Sequence, residues 1–308
     1  MLNSNNIRTW ITCASYAILN TIENSEIDLI EFENSTGVSF GVASHSDQYH
    51  CTRMLTPYRK FWDGISLIEK IWGLHINHIC TATKNEMITS ILSLKNANII
   101  IGPINMATLY YLPLSSQYKC ADHYITLHIN SDKIYLTDSE NIPYMRVYKE
   151  DLNRILDISD IMEADGKYNA GIVENYFSPL EKTERLFQII KIAGENFKSA
   201  EENGQGGKAF LQCQRVMKEL SVTHWETPIR YDLNYYLQRK YMLLETDPDG
   251  LFLSPAFKEH ILFQILSVQE ILFKLYQKSY KDVIDKMQIL SETETAISYR
   301  WKELTTQL

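Results

Sequence analysis

Between Ala121 and Asp138 the chain carries two short apolar-alternating runs, Ala121-Asp122-His123-Tyr124-Ile125-Thr126-Leu127 and Lys133-Ile134-Tyr135-Leu136-Thr137-Asp138, around a turn-forming Asn130-Ser131. Alternation of this kind specifies a hairpin, because a strand repeats its facing side chains every second residue. A tight connection centred on Asn130-Ser131 pairs Ile125 with Leu136, Leu127 with Ile134, and His123 with Asp138. Directly opposed partners have Cβ atoms about 4.5–5.5 Å apart on one face. Tyr124, Thr126 and His128 then point the other way, which makes His128 a structural residue. A histidine held by a carboxylate is the base-and-orienter half of a nucleophilic triad.

Cys13 is the best candidate for the missing nucleophile. It opens a helical stripe of Ala14, Ala17, Ile18, Thr21 and Ile22, and the start of a helix favours a thiolate. Backbone N–H groups at Cys13, helped by a polar residue upstream such as Asn6, can hold an oxyanion. The other cysteines, at 51, 80, 120 and 213, lack such a setting. A cysteine at a helix start followed by His and Asp on adjacent strands is a papain-like order.

The segments Trp10-Ile11-Thr12-Cys13-Ala14, Gly102-Pro103-Ile104-Asn105-Met106, Tyr111-Leu112-Pro113, Ala121-Asp122-His123-Tyr124 and Tyr135-Leu136-Thr137-Asp138 resemble the butirosin biosynthesis protein H family. The helical second half is similar to that family's C-terminal extension. Related members often have Asp where this chain has Asn105, and a Gly-rich segment after the first helix that here is reduced to Gly37 and Gly41. The resemblance implies a papain-like Cys-His-Asp acyltransferase. It would move an acyl group from a carrier-protein thioester to a small-molecule amine in antibiotic assembly. Cys13 would be nucleophile, His123 base and Asp138 orienter, and Asn105 and Asp122 are candidate substrate-binding residues. No cofactor is implied. The same triad with water as acceptor would be a peptidase, amidase or thioesterase. A binding module on the same fold, or a helical partner-binding scaffold, are the non-enzymatic readings.

At 308 residues, with 45% hydrophobic and 22% charged residues, the chain has ample material for two cores. A net charge of −8 gives nothing to attract a nucleic acid. Five scattered cysteines make no disulfide framework, the N-terminus lacks a signal-peptide pattern, and no apolar run reaches the roughly 18 residues of a membrane span. A cytoplasmic protein is expected.

Alternating helix and strand signals fill the first half. Helices are expected after Asp63 and after Asn85, a strand over Asn98–Ile101 ended by Gly102-Pro103, and a short helix opened by Lys149-Glu150-Asp151-Leu152. Ser178-Pro179-Leu180-Glu181 reads as a capping box, and further helices are expected over 208–220, 232–244, 255–280 and 281–306. The expected fold is α+β, with a papain-like domain over 1–165 and a helical domain over 166–308.

Three other patterns have plainer readings. His75-x-x-His78-x-Cys80, with His45, His50 and Cys51 upstream, is too loosely spaced for a zinc site and reads as loop or surface residues; no metal is expected. Gly204-Gln205-Gly206-Gly207-Lys208 lacks the first Gly and the Ser/Thr of a phosphate loop and reads as a loop before a helix. The aromatics of the second half, from Tyr231 to Tyr276, read as packing residues. Arg53, Arg59 and Lys60 form the most basic short segment, a solvated loop or a docking patch for an acidic carrier protein.

Overall fold

A computed structural model describes residues 12–22, 27–44, 54–113, 121–140, 142–174, 177–247 and 249–307. The chain is α+β and divides into two compact units. One comprises residues 11–27 and 68–180, the other 1–10, 28–67 and 181–308. Two features depart from the expected domain limits of 1–165 and 166–308. Residues 28–67 group with the helices, and residues 166–180 stay with the sheet.

The sheet unit is built on six antiparallel strands in the order β3-β8-β4-β5-β6-β7. These are β3 (His75–Thr81), β4 (Ala97–Asn105), β5 (Asp122–Asn130), β6 (Lys133–Asp138), β7 (Ile142–Val147) and β8 (Tyr168–Glu174). Strand β8 lies inside the sheet, between β3 and β4, although Asn169, Ala170 and Gly171 give it little strand character. Strand β3 puts His75, His78 and Cys80 on a paired strand rather than in a loop. His75 Nδ1 faces Glu69 at 3.4 Å and His78 Nε2 meets Asn169 Oδ1 at 3.0 Å.

Helix α1 (Cys13–Leu19) is shorter than its apolar stripe suggests. The Thr21 hydroxyl donates to the Ile18 carbonyl at 2.6 Å and ends the helix. Helix α4 (Lys84–Ser93) starts two residues earlier than expected. A full capping box made by Thr83 and Glu86, rather than Asn85, begins it. Met87 and Ile91 of α4 and Leu152 and Ile155 of α5 (Lys149–Ile155) cover one face of the sheet. They pack with Ile99, Ile125, Leu127, Ile134 and Leu136.

Strand β4 does not stop at Gly102-Pro103 but runs through it to Asn105. Pairing with β5 shifts between Ile101 and Ile104, where Pro103 has no N–H to give to the ladder. The two strands come close at this irregularity. A Cβ on Gly102 would lie 2.5 Å from the Tyr124 ring and 2.6 Å from the His123 carbonyl oxygen.

The helical unit comprises α2 (Leu29–Ser35), the two-stranded ribbon of β1 (Val42–Ser44) and β2 (Leu55–Pro57), and five helices. The helices are α6 (Lys182–Glu202), α7 (Gly207–Glu219), α8 (Val222–Thr246), α9 (Pro255–Tyr276) and α10 (Tyr280–Gln307). Helix α3 (Ile65–Trp72) runs across the division between the units. Ser178-Pro179-Leu180-Glu181 does not form the expected capping box. Ser178 and Leu180 donate their backbone N–H groups to the Trp72 and Ile71 carbonyls, and α6 begins at Lys182. Helix α8 extends ten residues upstream of its expected start, with Pro228 inside its second turn. Gly206 stands at the head of α7 and Gly207 is pressed against Ser291 and Thr295 of α10, a packing contact rather than a phosphate loop. Tyr236 and Phe257 are buried as packing residues, but Tyr231, Phe263, Phe273 and Tyr276 stand exposed.

Polar tethers bind the segment 28–67 to the helices. Arg185 donates to both Glu31 carboxylate oxygens at 2.6 and 3.0 Å, and Asp232 accepts the Met54 and Leu55 N–H groups at 2.6 and 2.8 Å. No described helix is long and apolar enough to cross a membrane.

The close approach at Gly102 yields a test. Gly102→Ala must displace Tyr124 or the His123 backbone, so it is expected to cost about 1–3 kcal/mol of stability by overpacking. Urea unfolding measures this, and an unchanged midpoint would contradict the crowding described.

Candidate active site

The site forms at the end of the sheet where β5 begins and β6 ends. The hairpin register differs from the expected one. Leu127 pairs with Leu136, Ile129 with Ile134 and Asn130 with Lys133, so the two-residue turn is Ser131-Asp132, with Ser131 at φ 56°. The slip of two residues preserves the faces. It makes His123 and Asp138 diagonal neighbours rather than directly opposed ones. A histidine and an aspartate are long enough to bridge that diagonal, and they do. His123 Nε2 lies 2.8 Å from Asp138 Oδ1, with both side chains essentially out of solvent.

The Cys13 side chain lies close enough to the His123 ring to act on its charge. With Nε2 occupied by Asp138, Nδ1 is the nitrogen left for it. Cys13 is the first residue of α1 and is only partly buried. Its position is set from both sides. Thr12 caps the helix by accepting the Ser15 N–H at 3.2 Å, and the Thr126 hydroxyl of β5 donates to the Ala17 carbonyl at 2.7 Å. The Tyr16 N–H goes to the Thr12 carbonyl, which leaves the N–H groups of Cys13 and Ala14 without an intrahelical acceptor.

Burial alone would lower the His123 pKa. The Cys13 charge and the hydrogen bonds to Asp138 and Cys13 outweigh it and hold the imidazole well above its usual range. For Asp138, burial acts to raise the pKa, but His123, Tyr111 and the Glu140 N–H together hold the carboxyl below the usual range. The two directions agree and describe an imidazolium–carboxylate pair.

Tyr111 completes the site. Its hydroxyl donates to Asp138 Oδ2 at 2.6 Å, and burial with the adjacent Asp138 charge raises its pKa, so it stays protonated and donates. The Glu140 N–H adds a bond to Oδ1 at 3.0 Å. Both carboxylate oxygens are therefore engaged. The Tyr111-Leu112-Pro113 segment is visible in the sequence, but nothing in its spacing points at Asp138 across 27 residues.

The other expected residues fall as follows. Asn105 is buried and fully committed. It donates to the Ser159 carbonyl at 2.8 Å and accepts the Ala107 N–H at 3.0 Å. Asp122 pairs with it across the β4–β5 ladder and is half-buried. Asn6, Cys51, Cys120, His45, His50 and Arg53 lie outside the described residues. Arg59 and Lys60 belong to the helical unit. Cys80 is exposed on β3, and Cys213 is buried, which pushes its thiol pKa up. His128 bonds Asn98 Oδ1 at 2.8 Å and Thr137 Oγ1 at 3.0 Å, and burial lowers its pKa. Among the described residues no group of three His, Cys, Asp or Glu side chains is arranged to hold a metal ion.

No protein-family model and no curated protein matches this sequence.

Two predictions follow from the pair and its support. His123, raised above its ordinary 6.5, contributes stability that is complete below that pH and is lost as pH rises through the folded value. Asp138, held below 3.8, contributes stability present above that pH and lost as pH falls through its folded value. Asp138→Asn should therefore cost about 1.5–3 kcal/mol between pH 5 and 6, with the difference from wild type narrowing in strong acid. Urea unfolding across pH tests this, and a pH-independent difference would refute the ion pair. Tyr111→Phe removes one bond to the carboxylate and should cost about 1–2 kcal/mol. In an NMR titration it should also move the His123 pKa downward, which loss of packing alone would not do.

Proposed function

We propose that the chain is a papain-like cysteine acyltransferase acting through Cys13, His123 and Asp138. The buried His123–Asp138 pair at 2.8 Å, turned towards a partly exposed Cys13, is the observation that carries this reading.

In the proposed reaction Cys13 Sγ attacks the carbonyl carbon of a thioester donor. The oxyanion of the tetrahedral intermediate is received by the backbone N–H groups of Cys13 and Ala14. Collapse breaks the donor's C–S bond, His123 supplies a proton to the departing thiolate, and the acyl group remains as a thioester on Cys13. An amine then attacks that carbonyl and His123 removes its proton. The second collapse forms the amide and expels the Cys13 sulfur. Asp138 fixes the ring so that Nδ1 faces the sulfur throughout, and Tyr111 holds Asp138.

A thioester donor, of the kind carried on an acyl carrier protein, and a small-molecule amine acceptor are the substrates that the resemblance to the butirosin family suggests, in antibiotic assembly. A reducing, cytoplasmic setting suits a free nucleophilic thiol.

The test uses N-acetylcysteamine thioesters of short acyl and aminoacyl groups, read by intact-protein mass spectrometry. Wild type should gain one acyl mass on Cys13. Cys13→Ser should gain none as a thioester, and His123→Ala should react about 100-fold or more slowly. Added amines should then release the acyl group as amide faster than water releases it as acid. Release by water alone, indifferent to amine, would make the enzyme a hydrolase. Absence of any adduct, with Cys13 alkylated by iodoacetamide no faster than Cys80, would refute the enzyme and leave a binding role.

A further inference from the structure

Helix α9 carries two apolar stripes, and one of them is covered. Ile261, Ile265, Val268 and Leu275 are buried. Away from them stand Leu262, Leu266, Phe273 and Tyr276, with Phe263 beside them, each between 45% and 77% exposed. A surface helix of a globular protein ordinarily has a single apolar stripe and a polar face opposite it. Single exposed apolar side chains need no explanation, but a contiguous patch of them marks a surface that meets something.

The spacing of the exposed stripe is that of a seam between two helices. Positions 262, 266, 269, 273 and 276 advance by 4, 3, 4 and 3 residues, which keeps them on one side of a helix in alternating steps. Gln269 is the polar member of the series, and its Nε2 donates to the Tyr241 hydroxyl of α8 at 2.9 Å. None of the five positions carries a charge. Two charges that flank them are engaged by α10, Glu270 with Lys286 at 2.8 Å and Lys274 with Asp282 at 3.6 Å. The face therefore offers apolar surface and little that would attract a charged partner.

The area argues for what covers it. Three aromatic side chains and two leucines exposed to this degree present about 600 Å², the upper end of what a monomer leaves in one apolar patch. Two such faces brought together remove about 1,200 Å² from water, the lower end of the range that holds a specific interface. We propose that two copies of the chain pair through this face, with α9 antiparallel to its counterpart. A two-fold axis between Leu266 and Gln269 sets Leu262 against the partner subunit's Phe273. Large then meets small along the seam, whereas parallel helices would press Phe273 and Gln269 each against its own copy. An isologous contact of this kind closes at two subunits. The inference is independent of the chemistry at Cys13.

Sedimentation equilibrium of the full chain from about 1 to 100 μM tests this. Wild type should be a dimer that dissociates on dilution. Leu266→Glu should weaken the dimer about 100-fold or more, because it buries an unpaired charge at the seam. Its circular dichroism should match wild type, since residue 266 is exposed in the single chain. Leu262→Lys and Phe273→Glu should each weaken the dimer in the same way. Combined in one chain they should restore most of it, because the two new charges meet across the two-fold axis and lie too far apart to meet along one helix. A wild-type monomer over the whole range overturns the proposal, and its flotation with phosphatidylcholine vesicles would make the face a lipid contact instead. A dimer that survives Leu266→Glu, or a combined variant no tighter than either single one, overturns it as well.

Discussion

Two opposite charges placed out of water at the end of a sheet have to be matched to one another, and the sheet unit is organised around that requirement. His123 and Asp138 are 3% and 1% exposed. Either one alone would be a costly buried ion or would be driven to neutrality. Together, with Tyr111 and the Glu140 N–H filling the remaining carboxylate lone pairs, they form a complete polar cluster. The consequences run outward. The β5–β6 turn must bring the two side chains within reach, β4 must approach β5 closely enough to need Gly102, and α1 must be fixed on β5 through Thr126 for Cys13 to meet the ring.

The same cluster shows what a sequence can and cannot disclose. Alternation along 121–138 carries the hairpin, its apolar face and the placing of His123 and Asp138 on one side, because these depend only on a period of two. The register does not follow from alternation, since shifting it by two residues leaves every face unchanged. It depends on which of Asn130, Ser131 and Asp132 occupy the turn, and all three are good turn residues. Tyr111 was out of reach for a different reason. Its link to Asp138 spans 27 residues and belongs to no periodic pattern.

Element boundaries failed where a local rule met a stronger tertiary one. Gly102-Pro103 ends a strand by propensity, and pairing with β8 does stop at Ile101, yet β4 continues because its ladder with β5 resumes at Ile104 and Asn105. Ser178-Pro179 looks like a helix cap, but its backbone is drawn off to satisfy the carbonyls at the end of α3. Strand β8 carries weak propensity and earns its place from two neighbours. The helix expected from residue 255 does open there, because Ser254 accepts the Phe257 N–H as its cap and Pro255 takes the first helical position.

The grouping of residues 28–67 with the helices extends this argument to the scale of the unit. Nothing in the composition of that segment separates it from the strands that follow. Its allegiance is fixed by individual polar contacts at long range: Glu31 to Arg185, Asn196 to the Gly37 carbonyl, and Asp232 to the backbone of Met54 and Leu55. Each contact satisfies a buried group that would otherwise be destabilising, so the segment is held where its unmatched atoms find partners. Buried polar atoms that do find partners determine the fold here.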